Sequence, residues 1–118
     1  MPKHTEQAKA EVVVTRKFFE NFAGDNVRFM MKGFQVSGDH QGQRSTGYRW
    51  PHGPVSIVSP FNFPLEIPAL QLFGALMVGN KPTIKAATKM SIVMEQFIRM
   101  CIHLGMTPTE VIIINKIY

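Results

Sequence analysis

The sequence predicts an α/β protein: a partial, doubly wound Rossmann-like parallel sheet of order β-α-β-α-β, preceded by an N-terminal helical segment. Three short runs predict strands: "VSIVS" and "VIIIN" have the composition of buried strands, and "PTIKA" between them fits a second short strand. Two apolar segments of helical length separate them, and the short links favour right-handed crossovers between parallel strands. We therefore expect residues 1–50 to form a helix and loop or strand segment and residues 51–118 to form the first half of a doubly wound domain.

The N-terminal segment opens with a helical pattern over residues 5–23. Ala8, Val12, Phe19 and Phe22 fall on one stripe, and Gly24 is a suitable helix end. The stretch "VRFMMKGF" fits a short helix or a strand, and we interpret it as a helix. The polar, glycine-rich "SGDHQGQRSTG" predicts a loop, and "YRW" predicts a short strand.

The two crossover helices are delimited by prolines and glycines. Pro64 suits the first turn of the helix in "LEIPALQLFGALMV", which is expected to become regular from Pro68 and to end at Gly79. Thr88 stands where the second helix needs an N-cap. That helix is predicted to end at Gly105, and its apolar residues are spaced for one stripe: Val93, Phe97, Met100, Cys101 and Leu104.

Composition limits the classes of function. The 118 residues fit one small domain, and the net charge of +5 comes from scattered basic residues, which argues against a nucleic-acid site. No apolar run is long enough to cross a membrane, and "MPKHTEQAKAE" contains no targeting pattern. A single cysteine fits a reducing compartment such as the cytoplasm. Neither a membrane nor nucleic acid is expected as a partner.

Several motifs that suggest chemistry are better explained by structure. "GALMVGNKPT" resembles a phosphate-binding loop, but Asn80 separates its second glycine from Lys81, and the glycines belong to a helix and its end. Cys101 lies on an apolar stripe and is expected to be a buried, protonated and inert thiol. The four histidines have no metal-ligand spacing, so we expect no metal site.

Two residues at predicted strand ends are better candidates. Asn62 follows the first strand in "SPFNFP", and Lys85 ends the second. Ligands of such sheets bind beyond the carboxyl ends of the strands, where an amide donor and a cation would suit an anionic ligand or a developing oxyanion. The alternative is that Asn62 caps the following helix and Lys85 faces solvent. The pattern alone favours neither.

The run from "GPVSIVSPFNFP" through "GNKPTIK" to "SIVMEQFIRM" closely resembles the aldehyde dehydrogenase superfamily. There, "P-W/F-N-F-P" follows the first strand of the NAD-binding domain and "GN-x-x-x-x-K" carries the second. "AEVVVTRKFFENFAGDNVRF" and "GDHQGQRSTGYRWPHGPV" are similar to the plant-type mitochondrial branch that oxidises glutamate semialdehyde to glutamate during proline breakdown. The resemblance extends from residue 1 to about residue 115.

The resemblance implies roles for individual residues. Asn62 matches the asparagine whose side-chain amide donates to the oxyanion formed when a cysteine thiolate attacks the aldehyde. Lys85 matches a lysine that binds the adenosine ribose of NAD. Thr88 stands where many relatives have a ribose-binding glutamate. The segment that lines the nicotinamide side is matched by Val58, Ser59, Pro60 and Phe61.

The resemblance also implies that other catalytic groups lie elsewhere. The "G-Q-x-C" nucleophile segment and the "E-x-G-G" general-base segment of the family do not occur in these 118 residues, and Cys101 matches neither. We therefore expect an interior piece of a longer, mitochondrial and homo-oligomeric dehydrogenase, with a small aldehyde as substrate, that is inactive as 118 residues alone. The alternative is a truncated, non-catalytic module that binds a nucleotide or a full-length subunit.

Overall fold

The computed structural model describes residues 3–114 and has the predicted order of strands and helices from residue 54 onward. The helices are α1 (Thr5–Phe22), α2 (Asp25–Met31), α3 (Glu66–Met77) and α4 (Ser91–His103), with short 3₁₀ turns at Thr88–Met90 and Pro108–Glu110. The strands are β1 (Phe34–Ser37), β2 (Arg44–Gly47), β3 (Pro54–Val58), β4 (Lys81–Lys85) and β5 (Ile112–Ile113).

The predicted parallel sheet is confirmed. Its strand order is β3-β4-β5, and both pairs are parallel, so α3 and α4 connect neighbouring strands. Ile57 stands opposite Ile84, and Ile84 opposite Ile113. This register aligns the carboxyl ends of the strands along one edge, where the candidate residues follow.

The core lies between one face of this sheet and the helices. Its buried members come from β3, β4, α3, α4 and the residues beside them: Ile57, Ala69, Leu72, Ile84, Ala86, Met94, Phe97, Ile98 and Val111. Helix α1 joins this layer through Phe19, whose ring stacks on Phe73 of α3 with centroids 3.9 Å apart and on Phe97 of α4 at 5.8 Å.

The other face of the sheet is open. Successive side chains of a strand point to opposite faces of the sheet, so the neighbours of the core residues along each strand point away from the helices. Among them, Val58 is 71% exposed, Ile112 is 60% exposed and Ile114 is 45% exposed. These three residues lie on a sheet face that no described element covers within residues 3–114, with Thr83 and Lys85 of β4 between them.

Strands β1 and β2 form an antiparallel hairpin at the surface. Every residue of the two strands except Gly47 is exposed. The described chain measures 66 × 31 × 25 Å with a radius of gyration of 18.2 Å, whereas a compact domain of this length has about 13 Å. The chain is therefore elongated.

The N-terminal predictions need three corrections. Arg44–Gly47 is a strand and not loop, because these residues pair with Phe34–Ser37, whereas "YRW" is not a strand. The short helix in "VRFMMKGF" is confirmed as part of α2. The predicted stripe of α1 is right only in its second half: Phe19 and Phe22 are half-buried, whereas Ala8 and Val12 are exposed and Glu11 and Thr15 are buried instead.

The crossover helices differ from their predictions mainly at their ends. Pro64 precedes α3, which begins at Glu66 and has Pro68 in its first turn. Thr88 does not N-cap α4 but begins a 3₁₀ turn, and α4 begins at Ser91. Two members of the predicted apolar stripe are exposed: Met100 within α4 is 52% exposed, and Leu104, one residue beyond its end, is 77% exposed. The last residue of the predicted third strand, Asn115, lies outside the described residues.

Candidate functional site

The turn that follows β3 starts in a fixed position. The backbone N–H of Ser59 donates to the carbonyl oxygen of Lys85 at 3.2 Å, which extends the β3–β4 ladder by one residue. Ser59 is buried, and Val58 pairs directly with Lys85. The structure therefore brings the end of β3 and the end of β4 together, as predicted.

Consecutive residues of this turn line two different cavities. Phe61 lines one of about 410 Å³ together with Ala87, Thr88 and Lys89, beyond the carboxyl end of β4. Asn62 belongs to another, of about 370 Å³, on the side of α1. The described residues around the second cavity are Lys3, Gln7, Ala10, Glu11, Val14, Asn62, Phe63 and Glu66. The turn thus presents Phe61 and Asn62 to separate spaces.

The amide of Asn62 is available to a ligand. Asn62 is exposed, and its side chain makes no hydrogen bond to any residue within 3–114. It does not cap α3, whose N-cap position is Leu65 and whose first N–H groups have another acceptor. The helix-capping alternative for Asn62 is therefore wrong.

Lys85 lies on the open face of the sheet. It is half-buried beside Val58, its partner in register, and it lines neither of the two cavities. Its ammonium group forms no ion pair with another residue of the described chain. Lys85 ends β4 and Thr88 follows it, so both residues lie at the carboxyl edge of the sheet, near the end of β3. Of the two, only Thr88 shares a cavity with Phe61.

Glu11 is the residue of this region that the sequence analysis missed. Its side chain is 5% exposed, and its Oε1 accepts hydrogen bonds from the backbone N–H groups of Leu65 at 2.8 Å and Glu66 at 3.0 Å. Its Oε2 forms an ion pair with Lys3. The available signal was the spacing of Glu11, Thr15 and Phe19, which places a carboxylate on the same stripe as a core aromatic.

Acidification is expected to weaken the fold through Glu11. Burial acts to raise the pKa of Glu11, but hydrogen bonds from Lys3, Glu66 and Leu65 and the charge of Lys3 outweigh it, so this pKa lies below its usual 4.5. The stabilisation is fully present above pH 4.5 and is lost as the pH falls through the lower folded-state pKa. The urea midpoint of Glu11→Gln should therefore approach that of the unaltered protein in acid.

The matched control for this measurement is Glu6→Gln, because Glu6 is an exposed carboxylate of the same helix. Its effect on the urea midpoint should be small at every pH. A Glu11→Gln effect that stays constant from neutral pH to well below pH 4.5 would show that the charge of Glu11 contributes nothing to stability.

The motifs assigned to structure have structural roles. Gly79 follows α3 with φ +84°, and the side-chain oxygen of the buried Asn80 accepts from the N–H of Gly53 at 3.1 Å. "GALMVGNKPT" is therefore a helix end that is tied to the start of β3. Cys101 is half-buried and not fully buried as predicted, but it packs against the core, and its burial raises the pKa of the thiol, which keeps the thiol protonated at neutral pH.

Residues 3–114 contain neither a candidate membrane span nor a candidate metal site. No helix in this range is both long and apolar enough to span a bilayer. No group of three or more histidine, cysteine, aspartate or glutamate side chains in the same range is arranged to hold a metal ion.

Known proteins resemble the chain along nearly all of its length. The aldehyde dehydrogenase family profile matches residues 1–115. Delta-1-pyrroline-5-carboxylate dehydrogenase 12A1, mitochondrial, of Arabidopsis thaliana is 59% identical over 115 residues, which are 98% of this chain and 21% of that protein. A probable aldehyde dehydrogenase of Linum usitatissimum is 56% identical over the same shares. An E. coli NADP dependent enzyme superposes with a TM-score of 0.88 at 21% identity, over 97% of this chain and 23% of that one.

A three-stranded parallel sheet with the candidate residues at the carboxyl ends of its strands defines a Rossmann-like fold. The superposition on the E. coli enzyme agrees with this fold class. The chain belongs to the aldehyde dehydrogenase family of oxidoreductases. It spans about a fifth of the length of the two plant relatives that it matches.

Proposed function

We propose that this chain is the part of an NAD-dependent aldehyde dehydrogenase that supplies the oxyanion donor and one wall of the cofactor site. The proposed reaction oxidises L-glutamate γ-semialdehyde, which is in equilibrium with pyrroline-5-carboxylate, to glutamate in proline catabolism. One water is consumed, and NADH and two protons are released. The observation that carries the proposal is that adjacent residues of one turn, Phe61 and Asn62, line two cavities.

The cavity at Asn62 is the proposed aldehyde side. When a cysteine thiolate from another part of the protein adds to the carbonyl carbon, the carbonyl oxygen becomes an oxyanion. The side-chain amide of Asn62 is a neutral donor with no competing acceptor in the described chain, so it can donate to this oxygen as charge develops. Donors that are fixed before the reaction stabilise such charge without reorganising. Proline on both sides of "FNF" limits the backbone freedom of the turn.

The cavity at Phe61 is the proposed cofactor side. NAD, when bound, accepts the hydride from the substrate carbon. Phe61 is 54% exposed and offers an apolar face, Ala87 leaves space, and Lys89 supplies positive charge for an anionic cofactor. In this proposal, residues 58–61 face the nicotinamide half, and Lys85 and Thr88 hold the adenosine ribose. Residues 51–118 then form the first half of the NAD-binding domain.

The finer identity of the substrate rests on the plant relatives. The Arabidopsis protein is named for pyrroline-5-carboxylate and for the mitochondrion. We extend both attributes to this protein, together with assembly into a homo-oligomer.

The test is aldehyde-dependent reduction of NAD by the intact gene product that contains this sequence. With pyrroline-5-carboxylate and NAD, the absorbance of NADH should rise. The rate of cofactor reduction should be lower when NADP replaces NAD or when acetaldehyde replaces pyrroline-5-carboxylate. NADPH formed faster than NADH would overturn the cofactor assignment, and faster oxidation of acetaldehyde would overturn the substrate assignment. An absence of activity with every aldehyde and both cofactors would overturn the proposed function.

One observation favours a second function, that of a non-catalytic binding module. Three apolar side chains on the open face of the sheet, Val58, Ile112 and Ile114, are exposed, and exposed apolar side chains are a feature of surfaces that pack against another polypeptide. In that case the gene product would bind a nucleotide or a dehydrogenase subunit without oxidising aldehydes.

A further inference from the structure

Helix α3 begins with a cap that comes from a distant helix. Its own N-cap residue, Leu65, makes no side-chain capping hydrogen bond. The carboxylate of Glu11 takes this place by accepting from Leu65 and Glu66, although it lies 54 residues earlier in the chain. An acceptor for these N–H groups is needed, since the first N–H groups of a helix have no partner within it.

Lys3 connects the same carboxylate to the backbone of Asn62. Its ammonium group pairs with Glu11, donates to the carbonyl oxygen of Asn62 at 3.2 Å and lies 4.4 Å from the ring centroid of Phe63. The Lys3 side chain is only 18% exposed, so these contacts form in a partly dehydrated site. Lys3 therefore contacts Asn62 and Phe63, and Glu11 contacts the start of α3 that follows them.

The other end of the turn is held by the sheet. The N–H of Ser59 donates to Lys85, so the backbone is fixed three residues before Asn62. Glu11 fixes it three residues after Asn62, at Leu65. Within the described chain, the Asn62 side chain has no hydrogen bond of its own, so its direction depends on these backbone attachments.

We propose that Glu11 and Lys3 are positioning residues for catalysis: they orient the Asn62 amide by holding the turn that carries it. This inference rests on the proposed function of Asn62. Glu11 is the larger contributor because its loss leaves two N–H groups and the Lys3 charge without their acceptor. Lys3 contributes less because its loss removes one hydrogen bond and the ring contact.

The expected effect follows from the narrow geometry of an oxyanion donor. Such a group must stay within about 0.5 Å and 10–20° of the productive position. A displacement of about 1 Å lowers the rate about 100-fold. Glu11→Ala should therefore lower kcat by a factor on the order of 10 to 100, with a smaller change in the KM for NAD. Glu11→Gln retains an acceptor oxygen for Leu65 and Glu66 and should retain most of kcat.

The test is a double-mutant cycle on kcat in the intact gene product. If Glu11 acts through Asn62, Glu11→Ala lowers kcat when Asn62 is present and has little further effect in the Asn62→Ala background. Glu6→Ala, on the same helix but exposed, is the matched control and should leave kcat unchanged. If Glu11→Ala fails to fold, Lys3→Met takes its place in the cycle, because it leaves the cap of α3 intact.

The possible failures can be told apart. A Glu11→Ala or Lys3→Met enzyme with the kcat of the Glu6→Ala control would overturn the positioning role. So would an equal loss of kcat with and without the Asn62 amide, because that result describes general destabilisation. Full activity of Asn62→Ala itself would instead overturn the proposed function of Asn62.

Discussion

Replacing Asn62 by alanine is expected to lower kcat of the intact gene product by about 10²- to 10³-fold, the usual effect of removing one oxyanion donor. The Asn62 side chain makes no hydrogen bond within residues 3–114, so the substitution breaks no such bond and should not unfold the protein. The KM for NAD should change little, because Asn62 lines a different cavity from Phe61 and Thr88. Steady-state kinetics with pyrroline-5-carboxylate measure both quantities.

The control for Asn62→Ala is Asn26→Ala. Asn26 is an exposed residue of α2, so the same chemical change is made away from both cavities. It should leave kcat unchanged, because Asn26 lines neither cavity. If the two variants have the same kcat, the Asn62 amide does not stabilise the transition state.

Leu72→Ala is expected to lower the free energy of unfolding by about 2–5 kcal/mol. Leu72 has no exposed surface and lies at the centre of α3, in contact with the core between the helices and the sheet. Truncating it removes apolar contacts and leaves a cavity that close-packed neighbours fill only in part. The urea midpoint of the intact gene product measures the loss.

Leu104→Ala is the matched control for this core substitution. Leu104 is 77% exposed just beyond the end of α4, so the same truncation should change stability by less than about 0.5 kcal/mol. If the two variants have equal urea midpoints, the helices do not pack on the sheet as described.

The sequence predicts the parallel half-sheet because its signals are local. Apolar runs bounded by prolines and glycines define β3, β4 and β5, and Gly79 ends α3 with the positive φ that its position requires. Where the packing partner is distant, local patterns were insufficient. The spacing of Glu11 from Phe19 places Glu11 on the covered side of α1, but no local pattern identifies its partner, the start of a helix 54 residues away.

The hairpin was missed for a different reason. Arg44–Gly47 is polar and exposed, so it lacks the alternation of buried and exposed residues that identifies a half-buried strand. Its pairing with Phe34–Ser37 depends on backbone hydrogen bonds and not on a buried face. Thr88 shows a similar limit, because a 3₁₀ turn and an α-helix N-terminus have the same local composition.

The location of the candidate site could be predicted from the sequence, but its division into two cavities could not. Strand ends place Asn62, Lys85 and Thr88 at one edge of the sheet, and the resemblance to dehydrogenases suggested their roles. That Phe61 and Asn62 line separate cavities depends on the geometry of the turn and on the position of α1. Neither can be read from residue spacing.

The most direct test of this account is the mass of the native gene product, captured from its source with an antibody to the "SIVMEQFIRM" segment of α4. We predict a mass several times the 13.3 kDa of these 118 residues, because the proposed dehydrogenase needs a nucleophile and a general base from other segments. A native mass near 13.3 kDa would contradict aldehyde oxidation by this protein and would favour the non-catalytic binding module.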